Sequence, residues 1–260
     1  MIITTQIIVV FLLIMTRMIG VVVTAPVFSR KEFFTLGKLA LTFWTSALLI
    51  YVIPAPLTPP DTGLQFILMF ITEFMIGVMM GFIMDIFITG IEFAGSLMDT
   101  QAGLSVSAML DPSSGRSLPL LSLLLKWTAT MLFLSINGHH LVLSALMESY
   151  RLLPIGSPIN FARGALYVVS TGTDIFMIGI QLAAPIMLVV FMIDFGFGML
   201  NKVAEQVNVF QLGFQIKPIV SLTVFLATVP GLLGGVYRIL DLLTGKLMKL
   251  LFYLSVAGNG

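Results

Sequence analysis

Between Phe66 and Ile88 the only ionisable side chains are Glu73 and Asp85, and every other residue is apolar, Gly or Thr. A helix needs about 20 mostly apolar residues to cross the hydrocarbon core of a bilayer, and this stretch supplies them. The rest of the chain reads in the same way. Of its 260 residues, 58% are hydrophobic and 10% charged, with a mean hydropathy of +1.08. A soluble domain carries about 25% charged residues, so there is too little charge here to solvate a globular surface. Disorder, collagen, a long coiled coil and a disulfide scaffold are excluded by the same composition. A membrane β-barrel would need many alternating stretches of about ten residues, and the uninterrupted Leu/Ile/Met/Phe runs argue for helices instead. The fold class expected is all-α, a hydrophobic helical-hairpin protein of membrane type.

The chain reads as one domain over 1–260. Hydrophobic helices are expected over 2–28, 39–53, 66–100, 118–136, 165–200 and 218–237, with amphipathic helices over 141–153 and 238–254. Pro54, Pro56, Pro59 and Pro60 impose a non-helical loop. Asp111, Pro112, Ser113, Ser114 and Gly115 make a second break, and Pro154, Gly156 and Pro158 a third. Gly138 is placed to end the fourth helix. The 165–200 stretch is too long for one upright span, so Pro185 predicts a kink or a hairpin. No Lys or Arg precedes Arg17, so the start lacks the basic region of a secretory signal and is expected to be a retained helix. Arg30, Lys31 and Lys38 put the first loop on the cytoplasmic side. Six simple spans would then leave the C-terminus outside, yet Arg238, Lys246 and Lys249 make that end basic. Either one stretch is re-entrant or hairpinned, or the helices are not ordinary spans.

Net charge is +1, which gives no polybasic field for nucleic acid, and there is no Cys for disulfides, thiol catalysis or Cys-ligated metals. The charges that matter lie inside apolar text: Arg17, Glu73, Asp85, Glu92, Asp99, Lys126, Asp174 and Asp194. An ion at the centre of a spanning helix costs about 2.5–3.5 kcal/mol on insertion scales, so such residues face protein or water. Asp85, Glu92 and Asp99 recur every seventh residue and so form one drifting stripe on a helix. That stripe suits an ion path or a polar lining; it suits equally an interface paired with basic groups. Gly77 and Gly81 form a GxxxG pair that permits close backbone approach. Met75, Met79, Met80 and Met84 suit a deformable seal or ordinary packing. His139 and His140 are adjacent and therefore poor joint metal ligands. GxSxG, HExxH and GxxxxGK[ST] motifs are absent from the sequence. No enzyme activity, cofactor or metal is expected.

Several segments in order resemble the FliR/SctT family, the export-gate subunits of flagellar and virulence type III secretion systems. They are Arg17 with Thr24-Ala25-Pro26-Val27-Phe28; Phe93-Ala94-Gly95 and Asp99-Thr100-Gln101-Ala102-Gly103-Leu104, continuing to Leu110-Asp111-Pro112; Gly138-His139-His140 with Ser149 and Pro154; Ala184-Pro185; and the stretch from Gln206 through Asn208, Phe210 and Gly213 to Lys217. Glu205 stands where that family has Pro. The resemblance implies a FliR-like chain packed in a helical export-gate assembly with FliP-like and FliQ-like subunits, beside FlhB-like and FlhA-like proteins. It implies a multi-pass protein of the bacterial inner membrane, in the flagellar basal body, that closes and opens a path for unfolded exported proteins. It further implies a plug in the central segment, about 101–116, which includes Gln101, Gly103, Leu104, Val106, Met109, Leu110, Asp111 and Pro112. The Gly/Ser/Pro content of that segment disfavours a rigid helix, and its bulky apolar residues can fill a pore. A virulence injectisome subunit is the alternative, and a self-sufficient secondary transporter or channel a more distant one.

Overall fold

In a computed structural model, the described residues are 2–26, 28–29, 34–53, 62–104, 119–204, 206 and 208–255. Among them are eight helices: α1 (Ile2–Thr24), α2 (Thr35–Leu49), α3 (Gly63–Gln101), α4 (Leu120–Ser135), α5 (Gly138–Leu152), α6 (Phe161–Gly172), α7 (Asp174–Val203) and α8 (Val209–Leu254). The only extended pairing among the described residues is an isolated bridge between Ile159 and Ser255. By length and composition, Ile7–Thr24, Gly63–Gln101, Phe161–Val203 and Gln211–Leu254 can each cross a membrane. The chain is therefore a helical membrane protein.

It divides into two units. The first comprises residues 1–86, 134–172 and 241–260. Its core is built where α1 meets the first half of α3: Leu13, Ile14, Met18 and Val21 are buried, as are Met80, Ile83 and Met84. Glycines allow this contact. A Cβ on Gly77 would overlap the Arg17 carbonyl oxygen, one on Gly81 would overlap the Thr24 hydroxyl, and one on Gly20 would meet the Phe74 carbonyl. In lipid, apolar side chains gain little by leaving the solvent, so helices associate through close packing at small residues. Met79 is buried with Met80 and Met84, whereas Met75 is exposed. The α2 helix lies on α1, where the Phe11 and Phe43 rings meet edge to face with centroids 5.5 Å apart, and it buries Thr42, Ser46 and Leu49. The end of α8 joins α6, where Gly164 faces Leu254 and the Asn160 N–H donates to the Leu254 carbonyl at 2.9 Å.

The second unit comprises residues 87–133 and 173–240. Here the last turns of α3 pack against α7 and α4. Gly90 faces Ile178, Gly179 faces Phe93, and a Cβ on Gly95 would overlap the backbone of Ser122. Much apolar surface of α7 remains uncovered, including Leu188, Phe191, Met192, Phe195 and Met199.

Four expectations need correction. The fourth helix does not end on Gly138: Asn137 takes the left-handed conformation (φ 58°) and Gly138 begins α5. Asn tolerates that conformation because its short polar side chain bonds locally. Pro185 makes no hairpin; it lies inside α7, and the helical run Phe161–Val203 is interrupted only at Thr173. Ending a helix in an apolar medium strands several backbone groups, whereas a proline inside it removes one bond. The same logic lets α8 begin at Val209 and run through Pro218, and the separate helices expected over 218–237 and 238–254 are one of 46 residues. The 39–53 helix is shifted to Thr35–Leu49, with turns over 50–53.

Candidate functional site

Two polar constructions stand out from the apolar packing, one in each unit. In the first, Arg17 projects from α1 and is fully buried. Its Nε donates to Glu73 Oε2 on α3 at 2.6 Å, Nη1 to Ser149 Oγ on α5 at 2.9 Å, and Nη2 to the Leu153 carbonyl at 3.1 Å. The guanidinium lies over the Tyr150 ring, 3.9 Å from its centroid, and the Tyr150 hydroxyl donates to the Ile14 carbonyl at 3.4 Å. The Gly156 backbone lies beside Glu73. Gly156 has φ +78°, a conformation that favours glycine. The charge is thus shared among three helices and a loop. A planar guanidinium with five fixed donors suits this better than a lysine ammonium.

In the second, α3 and α4 run side by side and are tied three times. Lys126 Nζ lies 2.8 Å from Glu92 Oε2, and both side chains are half-exposed. One turn on, Ser122 Oγ donates to the Glu92 carbonyl at 3.0 Å. At the top, the buried Asp99 carboxylate accepts the Leu121 N–H at 3.0 Å and the Ser122 N–H at 2.9 Å. Those are free donors of the first turn of α4. Pro119, which precedes that turn, has no side-chain oxygen to cap it. Asp99 caps the helix from another element.

The beginning of the expected plug is visible here. α3 ends at Gln101, which is exposed; Gly103 then turns the chain with φ +74°, and the Leu104 N–H donates back to the Asp99 carbonyl at 3.0 Å. Val106, Met109, Leu110, Asp111 and Pro112 lie outside the described residues.

The remaining expected residues separate. Asp85 is half-buried on α3 in the first unit, whereas Glu92 and Asp99 belong to the second. The seven-residue stripe therefore does three different things: Glu92 pairs with Lys126, Asp99 caps α4, and Asp85 does neither. Asp174 is in the first turn of α7, where a carboxylate favours the helix dipole. Asp194 on α7 pairs with Lys217 on α8. Asn208 caps α8 through Oδ1 to the Gln211 N–H at 3.2 Å, Gly213 is buried beside Phe197, and Gln206 is exposed. Phe210 lies in the first turn of α8. Sequence reasoning missed Tyr150 and the amides of Leu121 and Ser122; the one local signal was Pro119, a residue that begins a helix but cannot cap it.

Comparisons with known proteins agree on one family. Residues 8–243 match the family model described as bacterial export proteins, family 1. The flagellar biosynthetic protein FliR of Escherichia coli (strain K12) is 30% identical over 172 residues, covering 66% of this chain and 65% of that protein. The protein of the same name from Bacillus subtilis (strain 168) is 25% identical over 186 residues, covering 70% and 71%. The Yop proteins translocation protein T of Yersinia pestis is 28% identical over 187 residues, again covering 70% and 71%.

Proposed function

Because this chain belongs to family 1 of the bacterial export proteins, we propose that it is a core subunit of a flagellar type III export gate, forming and closing the path for unfolded flagellar proteins across the inner membrane. The observation that carries this is the family match over 8–243, with relatives named for flagellar biosynthesis from widely separated bacteria. The uncovered apolar faces of α7 and α8 support a subunit that works inside an assembly. Its partners in this reading are FliP-like and FliQ-like subunits and FlhB-like and FlhA-like proteins, in the flagellar basal body. It performs no reaction of its own; its work is to hold a path shut and let it open.

The stretch over 101–116 is the plug in this reading. The intramembrane charges Arg17, Glu73, Glu92, Asp99, Lys126, Asp194 and Lys217 hold helices together rather than conduct ions. The relative from Yersinia pestis favours a second reading, the equivalent subunit of a virulence secretion system.

Co-expression with flagellar and with injectisome partners separates the two. In the first reading the chain co-purifies with the flagellar FliP-like and FliQ-like subunits and restores motility to a strain lacking its own subunit. Deleting residues 103–110 leaves assembly intact and makes bilayers containing the complex leak potassium chloride. A stable monomer that transports a small solute without partners would overturn both readings.

A further inference from the structure

We propose that the first unit carries a site for an anionic phospholipid, with an acyl chain along the outer face of α2 and the phosphate at Arg151. The α2 helix buries Thr42 and Ser46 and turns its large side chains outward. Leu36, Ala40, Trp44, Leu48 and Val52 recur every fourth residue, and all five are exposed. A surface helix in water has the reverse arrangement. The row does not suit a partner helix. In an apolar medium helices meet at small residues, as α1 and α3 do at Gly20, Gly77 and Gly81, and the only small residue in this row is Ala40. Bulky side chains along one face suit flexible hydrocarbon chains instead.

The row ends at a cavity of about 360 Å³, lined by Val52 and Ile53 after α2 and by Met147, Tyr150, Arg151 and Pro154 from the end of α5 and the turn beyond it. That volume is in the range of ligand pockets, about 300–1,000 Å³. Ile53 and Tyr150 are buried and form the back wall, while Val52, Met147 and Arg151 are exposed at the mouth. The Tyr150 hydroxyl is already donated to the Ile14 carbonyl. Among the described lining residues, Arg151 alone carries a charge. Its Nη1 donates to Glu148 Oε2 at 3.2 Å, but the Arg151 side chain is 80% exposed, and an exposed pair of this kind holds weakly. The other guanidinium donors are placed to take a phosphate, whose oxygens match their planar fork. Tyr51, beside Val52, is also exposed, as aromatic residues at headgroup level are. A cation at the mouth of an apolar cavity, at the end of an apolar row, fits an amphiphile with an anionic head. A free phosphate would leave the row unused, and a lipid without net charge would gain less from Arg151.

The test uses the full chain, with the partners it co-purifies with, in vesicles of phosphatidylcholine and phosphatidylglycerol. A trace of the phosphatidylglycerol carries a photoactivatable group on its acyl chain. Irradiation should attach it to the peptides that contain Leu48 to Ile53 and Met147 to Arg151. Unlabelled phosphatidylglycerol should displace it about fivefold more effectively than phosphatidylcholine, equivalent to about 1 kcal/mol for one basic residue. Arg151→Gln should abolish that preference yet leave the adducts on α2, and Arg151→Lys should keep part of it. Glu148→Gln, which releases the guanidinium, should strengthen it, and it decides the matter should Arg151→Gln fail to fold. Equal displacement by the two lipids, or a preference that neither Arg151→Gln nor Glu148→Gln changes, overturns the site. Adducts no more frequent on these peptides than on other exposed apolar helices overturn it too. Inorganic phosphate that competes as well as the lipid would show an anion site without a chain, and attachment of α2 to a partner protein would show a protein-covered face; either result makes the inference wrong.

Discussion

The Arg17 guanidinium and the Glu73 carboxylate meet at 2.6 Å, and neither side chain reaches solvent. Removing one partner of such a pair strands a buried charge and costs about 3–5 kcal/mol, whereas replacing both with apolar residues is often close to neutral. Arg17→Met and Glu73→Leu should each lower the thermal midpoint of the assembled complex, and the double substitution should recover most of the loss. Double-mutant cycles by thermal denaturation in detergent would measure this. Strictly additive losses would show that the pair contributes nothing as a pair.

The glycines divide by what surrounds them. Gly77 and Gly81 touch the α1 backbone and side chains, while Gly245 on α8 has open space around its Cα. Gly77→Val should therefore reduce the amount of assembled complex sharply, since overpacking costs about 1–3 kcal/mol or more where backbone blocks relaxation. Gly245→Ala should be neutral or stabilising by up to about 1 kcal/mol, the difference in helix propensity. Quantifying complex recovered from equal membrane samples tests both.

Lys126 and Glu92 are half-exposed partners across α3 and α4. Reversing either alone sets like charges face to face, a loss of about 1 kcal/mol for pairs of this exposure. Glu92→Lys combined with Lys126→Glu should restore the pair. The recovery of the thermal midpoint in the swapped complex is the measurement; a swap as weak as either single reversal would exclude the pairing.

Asn137 holds the left-handed turn between α4 and α5. Asn137→Gly should preserve stability, while Asn137→Val should cost about 1–2 kcal/mol, the penalty of that conformation for an ordinary side chain. Limited proteolysis at the α4–α5 corner would report it, with faster cleavage for Val alone.

How much of this was legible in the sequence depends on where each partner lies. Apolar runs and polar breaks are local, so the existence of the helices could be read directly. Pro185 predicts a hairpin only if its penalty is weighed against water. In an apolar medium the alternative to a strained helix is stranded backbone, so Pro185, Pro218 and Pro230 stay helical. The charged residues could be picked out singly, but their pairings could not. Arg17 and Glu73 are 56 residues apart, and no periodicity joins them. Asp99 was less legible still, because its partners are backbone amides 22 and 23 residues on, which carry no side-chain signature.

The length of α8 has a consequence for the lipid around it. Forty-six residues hold about 69 Å of helix along their path, against a hydrocarbon core of about 30 Å. A straight helix of that length would have to tilt by about 65° to fit within the core, beyond the range of roughly 0–40° found for membrane helices. Ordinary spans respond to tail length, tilting in thin bilayers and straightening in thick ones, and cells sort them by that response. A helix that overshoots has no such cue to follow. Thickening or thinning the bilayer should move the lipid boundary along α8 rather than change its tilt.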